Sequence, residues 1–174
     1  MNEKPSTAKI ALKWGAIAGV TTIIYQTILF VTGLNRNQSL GYVTLVFTIG
    51  GLYLALAEYK RENGGYLSIG EGVGLGVLAA TIMGILSATY SIIYMTYVDP
   101  TIMQQGMEIA RQQMEDQGNM TDDQIDQAME ISQKFSSPGI LFLVSVIWSV
   151  LSGAILSLII AAILRREPVD PFSR

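Results

Sequence analysis

Four long stretches without a charged residue constrain the fold of this chain more than any other feature. No Asp, Glu, Lys or Arg occurs in residues 16–35, 37–57, 72–98 or 139–164. A helix needs about 20 mostly apolar residues to cross a bilayer, and a buried helix of a soluble protein would carry a charged outer face. We therefore predict membrane-spanning helices at about 10–33, 41–57, 72–98 and 139–164, of which the second is the shortest.

The composition agrees with a membrane protein and limits its chemistry. Only 14% of the 174 residues are charged, compared with about 25% in a typical soluble domain. The chain has no Cys and no His, which removes thiol nucleophiles, disulfides, Cys/His zinc sites and the usual general base. We therefore expect no enzymatic activity, no cofactor and no metal site.

The basic residues are distributed unevenly between the segments that connect the predicted spans. Eight of the 11 basic residues lie before the first span, between the second and third spans, or after the fourth: Lys4, Lys9, Lys13, Lys60, Arg61, Arg165, Arg166 and Arg174. The other three are Arg36, Arg111 and Lys134. The positive-inside rule then predicts that both termini are cytoplasmic.

The first span could instead be a signal peptide, because lysines precede it. Its apolar run of about 24 residues exceeds the usual length of about 7–15 for such a region. No small-x-small cleavage site follows the run. We therefore expect this segment to remain in the protein as a span.

The segment between the third and fourth spans, residues 99–137, is acidic and has helix signals. It contains eight acidic and two basic residues, so anionic headgroups and nucleic acid would repel it. Asp99-Pro100 resembles a helix start, and Gly118 is a suitable residue for the helix end. Thr121 and Gln124 have the spacing of a capping box, which predicts a second helix. The prediction is an extracytoplasmic helical hairpin.

Each helix of the predicted hairpin carries an apolar stripe. One stripe contains Met103, Met107, Ala110 and Met114, and the other contains Ile125, Ala128, Met129, Ser132 and Phe135. The stripes could face each other as the seam of the hairpin, or they could lie on the membrane surface. The methionines could also form an adaptable docking surface or a thioether site for a soft metal such as Cu(I). No His or Cys assists a metal. Our candidate interaction surface consists of Met103, Met107, Met114, Ile125, Met129 and Phe135.

Small residues recur at helical spacing within three of the spans. The glycines of these ridges are Gly15, Gly19, Gly72, Gly76, Gly84 and Gly153. Ridges of this kind allow helix backbones to approach closely in a membrane. We therefore predict that these glycines pack helices together; a permeation path and contacts between copies of the chain are the alternatives.

Three passages of the chain resemble one family. Residues 64–70 read GGYLSIG, similar to the family's GGYISFG turn, with Ile69 in place of an aromatic residue. The second passage is Tyr97-Val98-Asp99-Pro100, and the third runs from Gln117-Gly118 to Pro138-Gly139. On these residues the chain, from about position 10 to 164, resembles the domain-of-unknown-function 4199 family of bacterial membrane proteins. The resemblance implies four spans with a helical insertion before the last, and it implies no catalytic residues.

These observations predict an all-α integral membrane protein with four transmembrane helices and a two-helix extramembrane insertion between the third and fourth. We expect one membrane domain over residues 1–174. The favoured function is a non-enzymatic interaction or assembly protein that docks through the acidic hairpin. The bilayer, a second copy and another membrane or extracytoplasmic protein are the expected partners, and nucleic acid is not. The alternative is a small, possibly oligomeric channel or transporter for a neutral solute, which would suit the charge-free interior of the spans.

Overall fold

The computed structural model describes residues 4–166, and these residues form six α-helices. The helices are α1 (Thr7–Val31), α2 (Gln38–Glu62), α3 (Ile69–Ile93), α4 (Thr101–Gln117), α5 (Asp122–Phe135) and α6 (Pro138–Leu164). A 3-10 turn follows α1, and a π-helical turn, Tyr94–Val98, follows α3. No β-strand occurs in the described part of the chain, which confirms the predicted all-helical fold. Arg174 and the ends of the predicted domain lie outside the described residues.

Four helices are long and apolar enough to cross a membrane, as predicted. They are Thr7–Val31, Ser39–Glu62, Ile69–Val98 and Pro138–Leu164. The helix that contains the second predicted span continues beyond the apolar run, from residue 57 to Glu62. The Glu58 carboxylate, just after that run, has polar partners on α1: Lys13 and Trp14.

The chain divides into two compact units. The first, here called the bundle unit, comprises Met1–Ser87 and Val146–Arg174, and the second, the hairpin unit, comprises Ala88–Ser145. The bundle unit therefore contains α1, α2 and most of α3 and α6. The hairpin unit contains α4 and α5.

Within the bundle unit, α3 is the central helix because it contacts the other three. The backbone at Gly15 of α1 approaches the carbonyl oxygen of Ala79. The hydroxyl of Thr48 on α2 lies 3.6 Å from the Sδ atom of Met83, and α6 hydrogen-bonds to the backbone of α3. Accordingly, 39% of an apolar 18-residue stretch of α3 is buried, compared with 22% of the corresponding stretch in each of the other three spans.

Small residues lie at the closest helix contacts of the bundle unit, together with buried leucines such as Leu52, Leu56 and Leu75, whereas many large apolar residues face outward. Gly, Ala and Ser lie at many of the contacts between helices. The exposed side chains include Leu12, Ile24, Leu151 and Ile163, each more than half exposed. A soluble protein of this size would place such side chains in its core. Lipid chains solvate them instead, so close backbone packing rather than the hydrophobic effect holds the helices together.

The hairpin unit is built on two antiparallel helices with capped ends. The helix α4 begins one residue later than expected, at Thr101, whose backbone amide donates to the Asp99 carboxylate at 3.0 Å. Gly118 ends α4 with a φ of 64°, a left-handed conformation that suits glycine. The capping box at the start of α5 is present as predicted: Thr121 accepts from the Gln124 amide, and the Gln124 side chain accepts from the Thr121 amide.

Candidate functional site

The methionines of the predicted interaction surface lie along the seam of the hairpin. Met103, Met107 and Met114 of α4 are partly buried, as is Met129 of α5. The Oγ atom of Ser136 lies 3.9 Å from the Sδ atom of Met107. Met103 and Met107 also line a shallow groove with Gln133, Ser136 and Ser137. Met103 and Met107 therefore lie between α4 and the end of α5.

Fewer residues of the apolar stripe of α5 face α4 than the sequence predicted. Ile125 is only 2% exposed, but Phe135, predicted to lie on the same inner stripe, is 61% exposed. Positions 125, 129, 132 and 136 follow one line along a helix at 100° per residue, whereas Phe135 lies about 80° from that line. Phe135 therefore lies outside the seam, at the exposed edge of the predicted stripe.

A second apolar side chain lies next to Phe135 on the outer surface. Ile131 is one helical turn earlier and is 56% exposed. Residues four apart on a helix are neighbours on its surface, so Ile131 and Phe135 form an exposed apolar pair, here called the α5 patch. The sequence reasoning missed Ile131, although its spacing of four from Phe135 could have indicated it.

One basic residue links the two helices of the hairpin. The Arg111 guanidinium on α4 pairs with Glu115 at 3.0 Å on the same helix and with Asp126 at 2.9 Å on α5. Both carboxylates raise the pKa of Arg111 above its ordinary value by stabilising the charged guanidinium. Most other acidic residues of the hairpin remain exposed, so its surface is strongly negative. No group of three or more acidic residues in residues 4–166 is arranged to hold a metal ion.

In the bundle unit, the predicted glycines of α3 and α6 lie where the two helices meet. A methyl group on Gly72 would lie 2.6 Å from the nearest atom of α6, and one on Gly84 would lie 2.5 Å from it. A methyl group on Gly76 or Gly153 would overlap the facing side chain. In the order Gly72, Gly76, Gly84 and Gly153, the facing residues are Ala161, Ser157, Ser149 and Ala80. The helix backbones could not approach this closely with larger residues at these positions.

The predicted glycines of α1 likewise lie where α1 packs closely against α3. A methyl group on Gly15 would lie 2.7 Å from the Ala79 carbonyl oxygen, and one on Gly19 would lie 3.1 Å from Leu86. The sequence reasoning missed Gly51 of α2, where a methyl group would lie 2.6 Å from the Cβ of Ala18. The spacing of four joins Gly51 only to Ala55, and the sequence reasoning did not count two small residues as a ridge.

Polar side chains join α1 to α2 at one end of the bundle unit. The Glu58 carboxylate accepts hydrogen bonds from the Lys13 ammonium at 2.7 and 2.9 Å and from the Trp14 indole N–H at 2.7 Å. The Lys13 ammonium also lies 5.2 Å from the centroid of the Trp14 ring. These contacts satisfy a carboxylate whose side chain is only 12% exposed.

A second carboxylate joins the start of α3 to the segment before α1. Glu71 accepts hydrogen bonds from the backbone and hydroxyl of Ser68, at 3.1 and 2.9 Å, and from the Lys4 ammonium at 3.0 Å. The hydrogen bond raises the pKa of Lys4 above its ordinary value, because the carboxylate stabilises the ammonium form. The carboxylate therefore caps α3 and holds the chain before α1.

The same end of the bundle unit includes the end of α6. Leu67 and Arg166 exchange two backbone hydrogen bonds, of 2.9 and 3.0 Å, and the Arg166 guanidinium lies 5.9 Å from the centroid of the Tyr66 ring. Together with the contacts of Glu58 and Glu71, these bonds bring basic residues from four segments of the chain to one end of the bundle unit. They are Lys4, Lys9, Lys13, Lys60, Arg61, Arg165 and Arg166.

Comparison with known proteins agrees with the architecture. The chain matches the family described as "Protein of unknown function (DUF4199)" over residues 13–166. Neither a curated protein nor a solved structure matches it. The family match includes the four apolar helices and both helices of the hairpin, and it confirms the resemblance identified from the sequence. The chain is thus an integral membrane protein that belongs to the DUF4199 family.

Proposed function

We propose that this protein is a non-enzymatic membrane protein that binds a protein partner through the hairpin unit. The observation that carries the proposal is the α5 patch: Ile131 and Phe135 are both more than half exposed on an otherwise polar helix surface. Exposed large apolar side chains with polar neighbours are typical of protein interfaces. The methionines of the seam support the patch rather than contact the partner.

The charge of the hairpin defines the complementary partner. Eight acidic residues against two basic ones in residues 99–137 favour a partner with an apolar centre and a basic rim. Gln127 and Lys134, neighbours of the α5 patch, are both exposed. A second copy of this chain would bring two acidic surfaces together, so a different protein fits better.

We further propose that the hairpin lies outside the cytoplasm and that both termini lie inside, in a bacterial cytoplasmic membrane. The clustering of basic residues at one end of the bundle unit supports this orientation, because such residues are retained on the cytoplasmic side. The partner would then be an extracytoplasmic domain or another membrane protein.

The channel or transporter alternative receives less support from the packing. The glycine ridges that could have lined a path face Ser149, Ser157, Ala80 and Ala161 at contact distance. A solute moving between α3 and α6 would have to separate these helices. Flux of a neutral solute into liposomes, reduced by a bulky residue at Gly84, would favour this alternative.

Photocrosslinking combined with surface variants tests the docking proposal. A photoreactive phenylalanine analogue at Phe135 is expected to crosslink a partner in intact membranes, and Ile131→Gln in the same chain is expected to reduce the yield severalfold. The matched control carries Gln112→Ala and Gln113→Ala, which change two exposed polar residues of α4. An equal yield from the Ile131→Gln and control proteins, with both folded, would refute docking through the α5 patch.

A further inference from the structure

An apolar groove runs between α1 and α2 on the outer face of the bundle unit. Its walls are formed by Trp14, Ile17, Ala18 and Thr21 of α1 and by Val46, Phe47, Gly50, Gly51 and Leu54 of α2. The Thr21 hydroxyl donates to the carbonyl of Ile17 in its own helix, so it offers no unsatisfied donor to a ligand. The groove holds about 200 Å³, less than the 300–1,000 Å³ typical of small-molecule sites.

Glycine creates this groove on the α2 side. A methyl group on Gly50 would meet no atom within 4 Å, whereas one on Gly51 would lie 2.6 Å from Ala18. Gly51 therefore brings α1 and α2 together, and Gly50 leaves space beside the contact. The space is open toward the region that lipid chains occupy around a spanning helix.

Basic side chains lie beyond the groove, toward the polar end of the bundle unit. The Lys13 ammonium lies over the Trp14 ring, and the Lys13 side chain is 50% exposed although it pairs with Glu58. Arg61 is exposed and follows Gly50 and Leu54 on the same line of α2, at intervals of four and seven residues. Two cations against one carboxylate leave an excess of positive charge at this corner.

We propose that the groove binds one anionic phospholipid of the surrounding bilayer. An acyl chain lies against Gly50 and Trp14, and the phosphate contacts Arg61 and Lys13. Arginine suits a phosphate because its guanidinium donates two parallel hydrogen bonds. This inference does not depend on the docking proposal, since the two surfaces belong to different units of the fold.

Quenching of Trp14 fluorescence by brominated lipids tests the inference. The full chain carrying Trp148→Phe retains Trp14 as its only tryptophan. It is reconstituted into phosphatidylcholine vesicles that contain phosphatidylglycerol, and either lipid is brominated near the carboxyl end of its acyl chains. Brominated phosphatidylglycerol is expected to quench Trp14 with a relative binding constant severalfold higher than that of brominated phosphatidylcholine.

Two pairs of variants assign the effect to the groove. Arg61→Gln is expected to lower the preference for phosphatidylglycerol about fivefold, in line with one basic side chain at a membrane surface, whereas Lys60→Gln changes it less because Lys60 lies off the groove line. Gly50→Leu fills the groove and reduces quenching by both lipids. Gly74→Leu, also at a position where an added methyl meets nothing, leaves quenching unchanged.

Two results would overturn the inference. Equal quenching by the two lipids, unaffected by Arg61→Gln, would mean that the groove holds ordinary bulk lipid. Absence of quenching by either lipid would mean that protein, such as a second copy of the chain, covers the groove. Because Arg61 is exposed, its variant tests the proposal even if Gly50→Leu disturbs the fold.

Discussion

The hydroxyl of Ser149 on α6 donates a hydrogen bond of 2.6 Å to the backbone carbonyl oxygen of Ala80 on α3. The bond lies beside the contact of Ser149 with Gly84, so one serine side chain both fills the space left by a glycine and bonds the facing backbone. Close glycine packing and interhelical hydrogen bonding therefore act at the same place.

Replacing Ser149 by alanine tests the value of this bond. We expect Ser149→Ala to lower the free energy of unfolding by about 0.6 kcal/mol, the average for such bonds between membrane helices. The control is Ser152→Ala, since Ser152 donates only to the Ser149 carbonyl in its own helix. Denaturant titration in mixed micelles measures both, and an equal loss would contradict a contribution from the interhelical bond.

The two glycines Gly74 and Gly76 of α3 provide a matched test of packing. Gly76→Ala places a methyl group against Ser157 and should cost about 1–3 kcal/mol, as overpacking does. Gly74→Ala meets no neighbouring atom and should be neutral or stabilising by up to about 1 kcal/mol, because alanine favours helix. Thermal unfolding in detergent compares them. Equal effects would show that α6 does not pack against Gly76.

The two tryptophans have different environments and make a second matched pair. Trp14→Phe removes the hydrogen bond to Glu58 and should lower the free energy of unfolding by about 1.5–3 kcal/mol, the range for bonds to charged groups. Trp148 is 72% exposed, and Trp148→Phe should change stability by less than about 0.5 kcal/mol. Thermal unfolding followed by far-ultraviolet circular dichroism measures the difference. A larger effect of Trp148→Phe would contradict the assignment.

The capping box at the start of α5 gives a local prediction. Thr121→Ala removes the oxygen that accepts from the Gln124 amide and should destabilise the helix by about 1 kcal/mol. In Thr121→Ala, amide hydrogen exchange should accelerate in α5 but not in α1. The control Gln127→Ala, in the middle of α5, should leave the exchange rates unchanged. Unaltered exchange in Thr121→Ala would mean that the hairpin contacts alone hold α5.

The missing cysteines permit a direct test of orientation. A single cysteine at Gln112, an exposed residue of α4, should react with a membrane-impermeant maleimide in intact cells if the hairpin is extracytoplasmic. A cysteine at Glu62, at the end of α2, should react only after lysis. The opposite pattern would reverse the orientation that the basic residues predict.

The sequence was sufficient for the large features because their physical causes are local. A span is recognisable from a long run without charge, and the capping box from two residues three positions apart, Thr121 and Gln124. The partners of Glu58 were not recognisable in this way. Glu58 follows an apolar run in the sequence, and its partners Lys13 and Trp14 come from α1, a distant part of the chain.

The same distinction applies to the candidate surfaces. Helical spacing placed the methionines on one face of α4, but it could not determine which edge of the α5 stripe meets α4. The structure leaves Phe135 outside and adds Ile131 beside it. Gly51 was missed for a similar reason, since its importance depends on Ala18 of another helix.

The central position of α3 also determines when the protein can be completed during synthesis. Ala80 and its partner Ser149 are separated by 69 residues, and ribosomes add about 5–20 residues per second. For several seconds, therefore, the glycine face of α3 waits in the membrane while the hairpin is translated. During that interval the face that α6 will cover must contact other molecules of the membrane, so its glycines are exposed to lipid until residue 149 has been synthesised.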